Sequence, residues 1–352
     1  MVLPTLLHPS IPAVPRKHAS MRRRFGMGLL LILQLCIGIS AAHADGFDVV
    51  ALGVKGGLDN GDLSSYLIRA QGDRRYLALD AGTLLPGIRQ ALRHGAFADI
   101  ATDGKDTTEG RVYRDLIAGY FISHAHLDHV AGLLIAATDD VGHKPVYALA
   151  STNEALSRDY FNWSAWPNFA DRGEAPALGR YLLTDEPAGQ SFKIADTALT
   201  GTIYPLSHDR VVSSMLLLKS GDDYFAYFGD TGPDALSNAH RLAAIWQVLG
   251  PLVRRHALKG LLIETSFPND VPDKLLFGHL TPAWLLRELH ALEQAAGGIG
   301  SLKGLPVLIG HIKPSLAKDR DPRALIAAQL DAGNTLGIRF VLPQQGDLLH
   351  LP

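Results

Sequence analysis

Four side chains able to hold a metal ion, His124, His126, Asp128 and His129, fall within six residues directly after the apolar run Tyr120 to Ile122. The segment Ser123-His124-Ala125-His126-Leu127-Asp128-His129 constrains the fold more than any other stretch. An apolar run that ends in such a cluster predicts a buried strand opening at a functional surface. In extended chain, residues two apart point the same way, so His124 and His126 can grip one ion together. The helical run Val130 to Ala137 begins just beyond and re-aims Asp128 and His129 toward a second position. Buried without a ligand, each of these groups would need a hydrogen-bond or charge partner. A solvated histidine-rich loop is the plainer alternative, and the placement at a strand end argues against it.

The rest of the chain supplies a layered frame. Apolar runs bounded by Gly, Asp or Pro predict strands at Phe47 to Val54, Ser64 to Ala70, Arg75 to Leu79, Ile117 to Ile122 and Pro145 to Leu149. Further strands are predicted at Ser213 to Leu218, Tyr224 to Phe228, Gly260 to Ile263 and Leu305 to Ile309. Helical patterns lie near 86 to 97, 130 to 138, 234 to 249, 281 to 295 and 322 to 331. This order suits α/β layers, sheets covered by helices, more than an all-β sandwich or a helical bundle. No internal repeat or low-complexity linker divides residues 45 to 352, which are read as one domain.

The first 44 residues read as a removable leader. Arg22 to Arg24 form a positive region, Gly26 to Ile39 an apolar stretch too short for a comfortable membrane span, and Ala42-His43-Ala44 a small-residue cleavage site. A periplasmic or secreted product without membrane insertion is expected, a retained anchor being the alternative. Cys36, the single cysteine, would leave with the leader, which excludes a disulfide scaffold or a Cys-ligated zinc ribbon. The leader holds five basic residues and no acidic one, so the remainder carries about −7 by formal count. Nucleic acid, which attracts net positive surface, is therefore an unfavourable partner.

The pattern of two alternating histidines followed by Asp-His resembles the metallo-β-lactamase superfamily. The longer run His124-Ala125-His126-Leu127-Asp128-His129-Val130-Ala131-Gly132 is similar to the signature of the class II cyclic nucleotide phosphodiesterases. The resemblance implies an αββα sandwich of two packed sheets flanked by helices, and a dinuclear site needing more ligands than this segment holds. It makes His208, in Pro205-Leu206-Ser207-His208, the third ligand of a first metal; alone it would read as a loop histidine between an apolar segment and a strand. It makes Asp230, in Phe228-Gly229-Asp230-Thr231-Gly232, a carboxylate shared by both ions, where a turn or capping aspartate is the alternative. His311, in Gly310-His311-Ile312-Lys313-Pro314, would complete the second metal with Asp128, His129 and Asp230. Imidazole and carboxylate ligands without thiolate suit Zn²⁺, with Mn²⁺ or Fe also open.

Three residues are expected in catalytic roles, namely His279, Glu264 and, besides its ligand role, Asp128. The segments around Glu264 and His279 resemble motifs paired in phosphodiesterase branches of the superfamily, including transfer-RNA 3′-processing endonucleases. Glu264 would hold the His279 ring and raise its pKa, so that imidazolium protonates a leaving alkoxide. His279 exchanging places with His311 as ligand stays open at this stage. Asp80, in Leu79-Asp80-Ala81-Gly82, resembles the superfamily's early aspartate, which orients the metal loop. Tyr160, Phe161, Trp163, Trp166 and Phe169 offer a surface for a purine, a core cap or a dimer contact. The loop Gly56, Gly57, Asn60, Gly61 and Asp62 lies where the family meets its ligand, with plain loop flexibility as the alternative. His94, His143, His240, His256, His290 and His350 are expected at the surface. Ser315-Leu316-Ala317-Lys318 spells SxxK without its partner motifs and carries no weight.

The resemblance implies metal-dependent opening of 3′,5′-cyclic nucleotides, cyclic AMP foremost, to 5′-monophosphates by a hydroxide shared between the ions. The alternatives are another hydrolase of this fold, acting on a lactam, lactone or sulfate ester, and a degenerate periplasmic binding protein. A small-molecule cyclic nucleotide is the expected partner, with a homodimer possible.

Overall fold

The computed structural model describes residues 46–98, 100, 104–237 and 239–352; the predicted leader lies outside them. The first half runs β1 (Phe47–Gly53), β2 (Ser65–Ala70), β3 (Tyr76–Leu79), α1 (Leu85–Arg93) and α2 (Thr108–Arg111). It continues with β4 (Ile117–Phe121), α3 (Leu127–Ala136), β5 (Lys144–Ala148), α4 (Ala150–Ala155) and β6 (Tyr181–Asp185). The second half begins with β7 (Ser191–Lys193), β8 (Thr200–His208), β9 (Val211–Ser220), β10 (Asp223–Phe228), α5 (Arg241–Arg254) and β11 (Leu258–Glu264). It ends with α6 (Pro282–Ala295), β12 (Pro306–Gly310), α7 (Pro322–Gly333), β13 (Arg339–Val341) and β14 (Leu348–Leu351).

These strands form two seven-stranded mixed sheets, in the orders β14-β1-β2-β3-β4-β5-β6 and β13-β12-β11-β10-β9-β8-β7. In each sheet three crossovers pair strands in parallel, β3 through β6 in one and β10 through β13 in the other. Parallel strands buried on both faces explain the near-continuous apolar runs. On β1, Phe47, Val49 and Ala51 face the second sheet and pack with Phe225, Tyr227 and Leu262. Val50 and Leu52 face the other way, toward Leu84, Ile88 and Val130. The outer face of the second sheet is covered by α5, α6 and α7 through Trp246, Leu285, Leu289, Ile326 and Leu330. Each fully buried side chain of this kind contributes about 1.5–3 kcal/mol. The architecture is the αββα sandwich.

Helix starts are set locally. Thr281 accepts from Trp284 N ahead of Pro282, and Asp321 accepts from Ala324 N ahead of Pro322, so both helices begin with a capping side chain and a proline that lacks the amide hydrogen. His208 is the last residue of β8 rather than a loop residue before the next strand. Gly201 and Pro205 within β8 hide the strand from its sequence pattern. Among the described residues no helix is long and apolar enough to cross a membrane.

Candidate metal centre and active site

The chain ends of β3, β4, β8, β10, β11 and β12 carry Asp80, His124, His208, Asp230, Glu264 and His311. Ligand-bearing residues thus leave the sheets at strand C-termini, where open α/β sheets bind their ligands. His124, His126 and His208 bring ligand nitrogens within 4.8 Å of one another, and Asp128, His129 and His311 form a second such group. Asp230 lies between them. Its Oδ1 is 3.3 Å from His129 Nε2, and its Oδ2 is 3.2 Å from His311, 3.7 Å from His208 and His279, and 3.9 Å from His124. One buried carboxylate therefore faces five imidazoles.

These distances fit divalent cations. His124 Nε2 is buried without a hydrogen-bond partner, a cost that a metal bond would remove. His208 Nε2 and His126 Nδ1 approach to 3.2 Å, as do His129 Nε2 and His311 Nε2. Nitrogen lone pairs converging at that distance repel unless a proton or a cation stands between them. His126 is exposed and Asp128 half-buried, so the cluster opens to solvent on their side.

A second ring of partners fixes the ligands. Asp80, at φ 52°, accepts from Ser123 N and Ser123 Oγ at 2.7 Å and from Tyr227 Oη at 2.6 Å. Its Oδ2 also lies 2.7 Å from His129 Nδ1, which leaves Nε2 for the metal side. The parallel pairing of Glu264 with Gly310 sets His311 beside Ser266, whose Oγ is 2.9 Å from His311 Nδ1. The glycine loop is seated on the cluster: Gly57 N donates to Asp128 Oδ2 at 3.0 Å. Any Cβ at Gly56 would lie 2.4–2.8 Å from the His311 ring, so the position demands glycine.

Glu264 and His279 pair at the edge of the cluster, joined to His311 through Ser266. His279 Nδ1 is 2.7 Å from Glu264 Oε1, which also accepts from Thr231 N at 2.9 Å, while Glu264 Oε2 accepts from Ser266 Oγ at 2.6 Å. Burial opposes the His279 charge, but the Glu264 and Asp230 carboxylates raise its pKa above the usual imidazole value. Glu264 stays below the usual carboxylate range because His279 outweighs its burial. His208 behaves oppositely: burial takes it down to about 4, with Asp230 opposing. Burial also lowers His124 and His126. His129 is raised against burial by Asp230 and Asp80, and Asp230 is depressed against burial by His311, His129 and His279.

All the side chains expected from the sequence at the metals and at the acid thus meet in one place. Ser266 and Tyr227 carry no motif in the sequence; their signal is only alternation, Ser266 standing two residues from Glu264 and Tyr227 facing the other sheet. The aromatic cluster is largely structural. Phe161 and Phe169 are buried in the core of the first sheet, and Tyr160 closes a π-helical turn and donates to the Ala125 carbonyl at 2.8 Å. The six other histidines among the described residues are exposed.

A profile of class-II cAMP phosphodiesterases matches residues 47–346. A probable 3′,5′-cyclic-nucleotide phosphodiesterase of Yersinia pestis is 49% identical over 336 residues, 94% of this chain and 97% of that protein. The 3′,5′-cyclic-nucleotide phosphodiesterase of Aliivibrio fischeri is 46% identical, over 91% and 98% of the two chains. The crystal structure of unliganded yeast PDE1 superposes with a TM-score of 0.77 at 22% identity, covering 87% of this chain and 99% of that one. The metallo-beta-lactamase fold protein YhfI from Bacillus subtilis superposes at 0.56 with 15% identity, over 87% and 100% of the chains. These two structural matches establish the fold.

Proposed function

The chain belongs to the class-II cyclic-nucleotide phosphodiesterases and is a 3′,5′-cyclic-nucleotide phosphodiesterase, and on that premise we propose which residues do the work. His124, His126, His208 and Asp230 would hold one divalent cation, and Asp128, His129, His311 and Asp230 a second, Zn²⁺ being the ion this donor set suits. Such a pair of cations would supply Lewis acidity, lowering the pKa of a water and neutralising phosphate oxygens. Asp128, near the solvent-open side, orients the incoming water as well as serving as ligand.

His279 is the acid. Glu264 occupies its Nδ1, fixes the ring and favours the protonated form, which leaves Nε2 to give its proton to the departing 3′-oxygen. The single observation that carries this reading is the Glu264–His279 pair beside Asp230, since a phosphodiester needs its leaving alkoxide protonated. His311, within 3.2 Å of Asp128, His129 and Asp230, is the better placed ligand of the two histidines. Cyclic AMP is the proposed preferred substrate. Export to the periplasm with cleavage after Ala44 is proposed from the leader, and N-terminal sequencing that began elsewhere than Asp45 would overturn it.

The test is product analysis with cyclic AMP, cyclic GMP and a chromogenic lactam, alongside metal quantification. We expect 5′-AMP and about two equivalents of metal per chain. Turnover of the lactam alone, or a metal content below one equivalent, contradicts the proposal.

A further inference from the structure

Next to the metal-ligand cluster a cavity of about 640 Å³ opens on the flank of His279, between the β8–β9 turn and the segment before α6. Its apolar wall is made by Val211, Val212, Leu236 and Phe277, all exposed although large and hydrophobic. Phe277 is 62% exposed and sits at φ 50°, in the left-handed region where a bulky side chain is costly. An aromatic ring held in water at a backbone cost, on the wall of a cavity that His279 also lines, suits the flat face of a ligand.

We infer that this cavity receives the nucleoside half of the cyclic nucleotide, with the base against Phe277. The inference rests on the phosphodiesterase reading above and deepens it. The oxygen that His279 protonates belongs to the ribose, so the ribose must lie on the His279 side of the phosphate. His279 is shared by both sites: its ring lines the cavity, and its Nδ1 is 3.7 Å from Asp230. The volume lies within the range of pockets that enclose ligands of nucleotide size. Stacking on an aromatic face serves any base, so a site built on Phe277 fits both purine cyclic nucleotides. The aromatic residues 160–169 do not line this cavity.

The test compares the wild-type chain, Phe277→Ala and Phe277→Tyr. It reads KM and kcat for cyclic AMP, inhibition by adenosine and by inorganic phosphate, and metal content. Loss of one stacking contact should raise KM and the adenosine inhibition constant together, by about tenfold. Phosphate inhibition and metal content should stay at wild-type values, and Phe277→Tyr should restore both shifted constants. A KM within twofold of wild type in Phe277→Ala overturns the cavity assignment. So does phosphate inhibition that weakens in step with adenosine, because the change would then be a general disturbance of the metal centre. Absence of cyclic-nucleotide turnover in the wild-type chain overturns the functional reading itself, and the cavity assignment with it.

Discussion

The end of β8 and the turn before α6 place two buried histidines side by side, and they are tuned in opposite directions. His208 and His279 have ring centroids 4.7 Å apart, and the nearest partner of Nδ1 differs between them. For His208 that partner is the Gly278 carbonyl at 3.0 Å, and burial takes its pKa down to about 4. For His279 it is the Glu264 carboxylate at 2.7 Å, and the pKa rises in spite of burial. A neutral partner leaves an imidazole that can offer a lone pair to a metal; a charged one leaves an imidazolium that can release a proton. Within this pair the atom at Nδ1 separates the two roles, although both rings face Asp230 at 3.7 Å; His129, whose Nδ1 also meets a carboxylate, is assigned to a metal because its Nε2 lies within 3.3 Å of Asp230 and His311.

The largest effect should come from breaking the ligand side. In His126→Ala, metal content and activity should fall together, with kcat/KM down by at least about a thousandfold. Retained metal with lost activity would remove His126 from the ligand set. Breaking the acid side should cost less: His279→Ala should lose about a hundredfold or more in kcat, a loss relieved with a substrate whose leaving group needs no proton, such as a nitrophenyl phosphodiester. Equal losses on both substrates would mean that His279 is not the acid.

Glu264→Gln sharpens the comparison by giving His279 a neutral partner like that of His208. The raised pKa depends on the carboxylate charge, so removing it lowers the pKa, and the protonated form is lost at lower pH. The alkaline limb of the kcat/KM profile should therefore move to lower pH, with kcat reduced about tenfold. An unmoved limb would detach Glu264 from the acid. The smallest effect is expected from Asp80→Asn, which weakens the hold on His129 Nδ1: metal affinity should drop about 10- to 100-fold while the saturated enzyme stays active, as chelator titration would measure.

Half of this site was readable in the chain because it is contiguous. His124 and His126 lie on the turn after β4, Asp128 and His129 in the first turn of α3, and local geometry alone brings them together. His208, Asp230, Glu264, His279 and His311 belong to the second sheet and its connections, and only the resemblance joined them to the first group. Ser266 stayed hidden because its role is set by the β11–β12 register, and Tyr227 because it reaches Asp80 across the sheet interface. The same logic applies to the fold. β1, flanked by turn residues and buried throughout, was read within one residue of its observed end. β6, β7, β8, β13 and β14 show no such pattern, since β6, β7, β13 and β14 are short and partly exposed, and β8 carries a glycine and a proline.

The most direct measurement is metal content per chain for His208→Ala and His279→Ala, prepared and measured in parallel. We expect His279→Ala to keep the wild-type amount of metal and His208→Ala to lose about one equivalent. Loss of metal in His279→Ala, with His208→Ala unchanged, would contradict the division of the two histidines into acid and ligand.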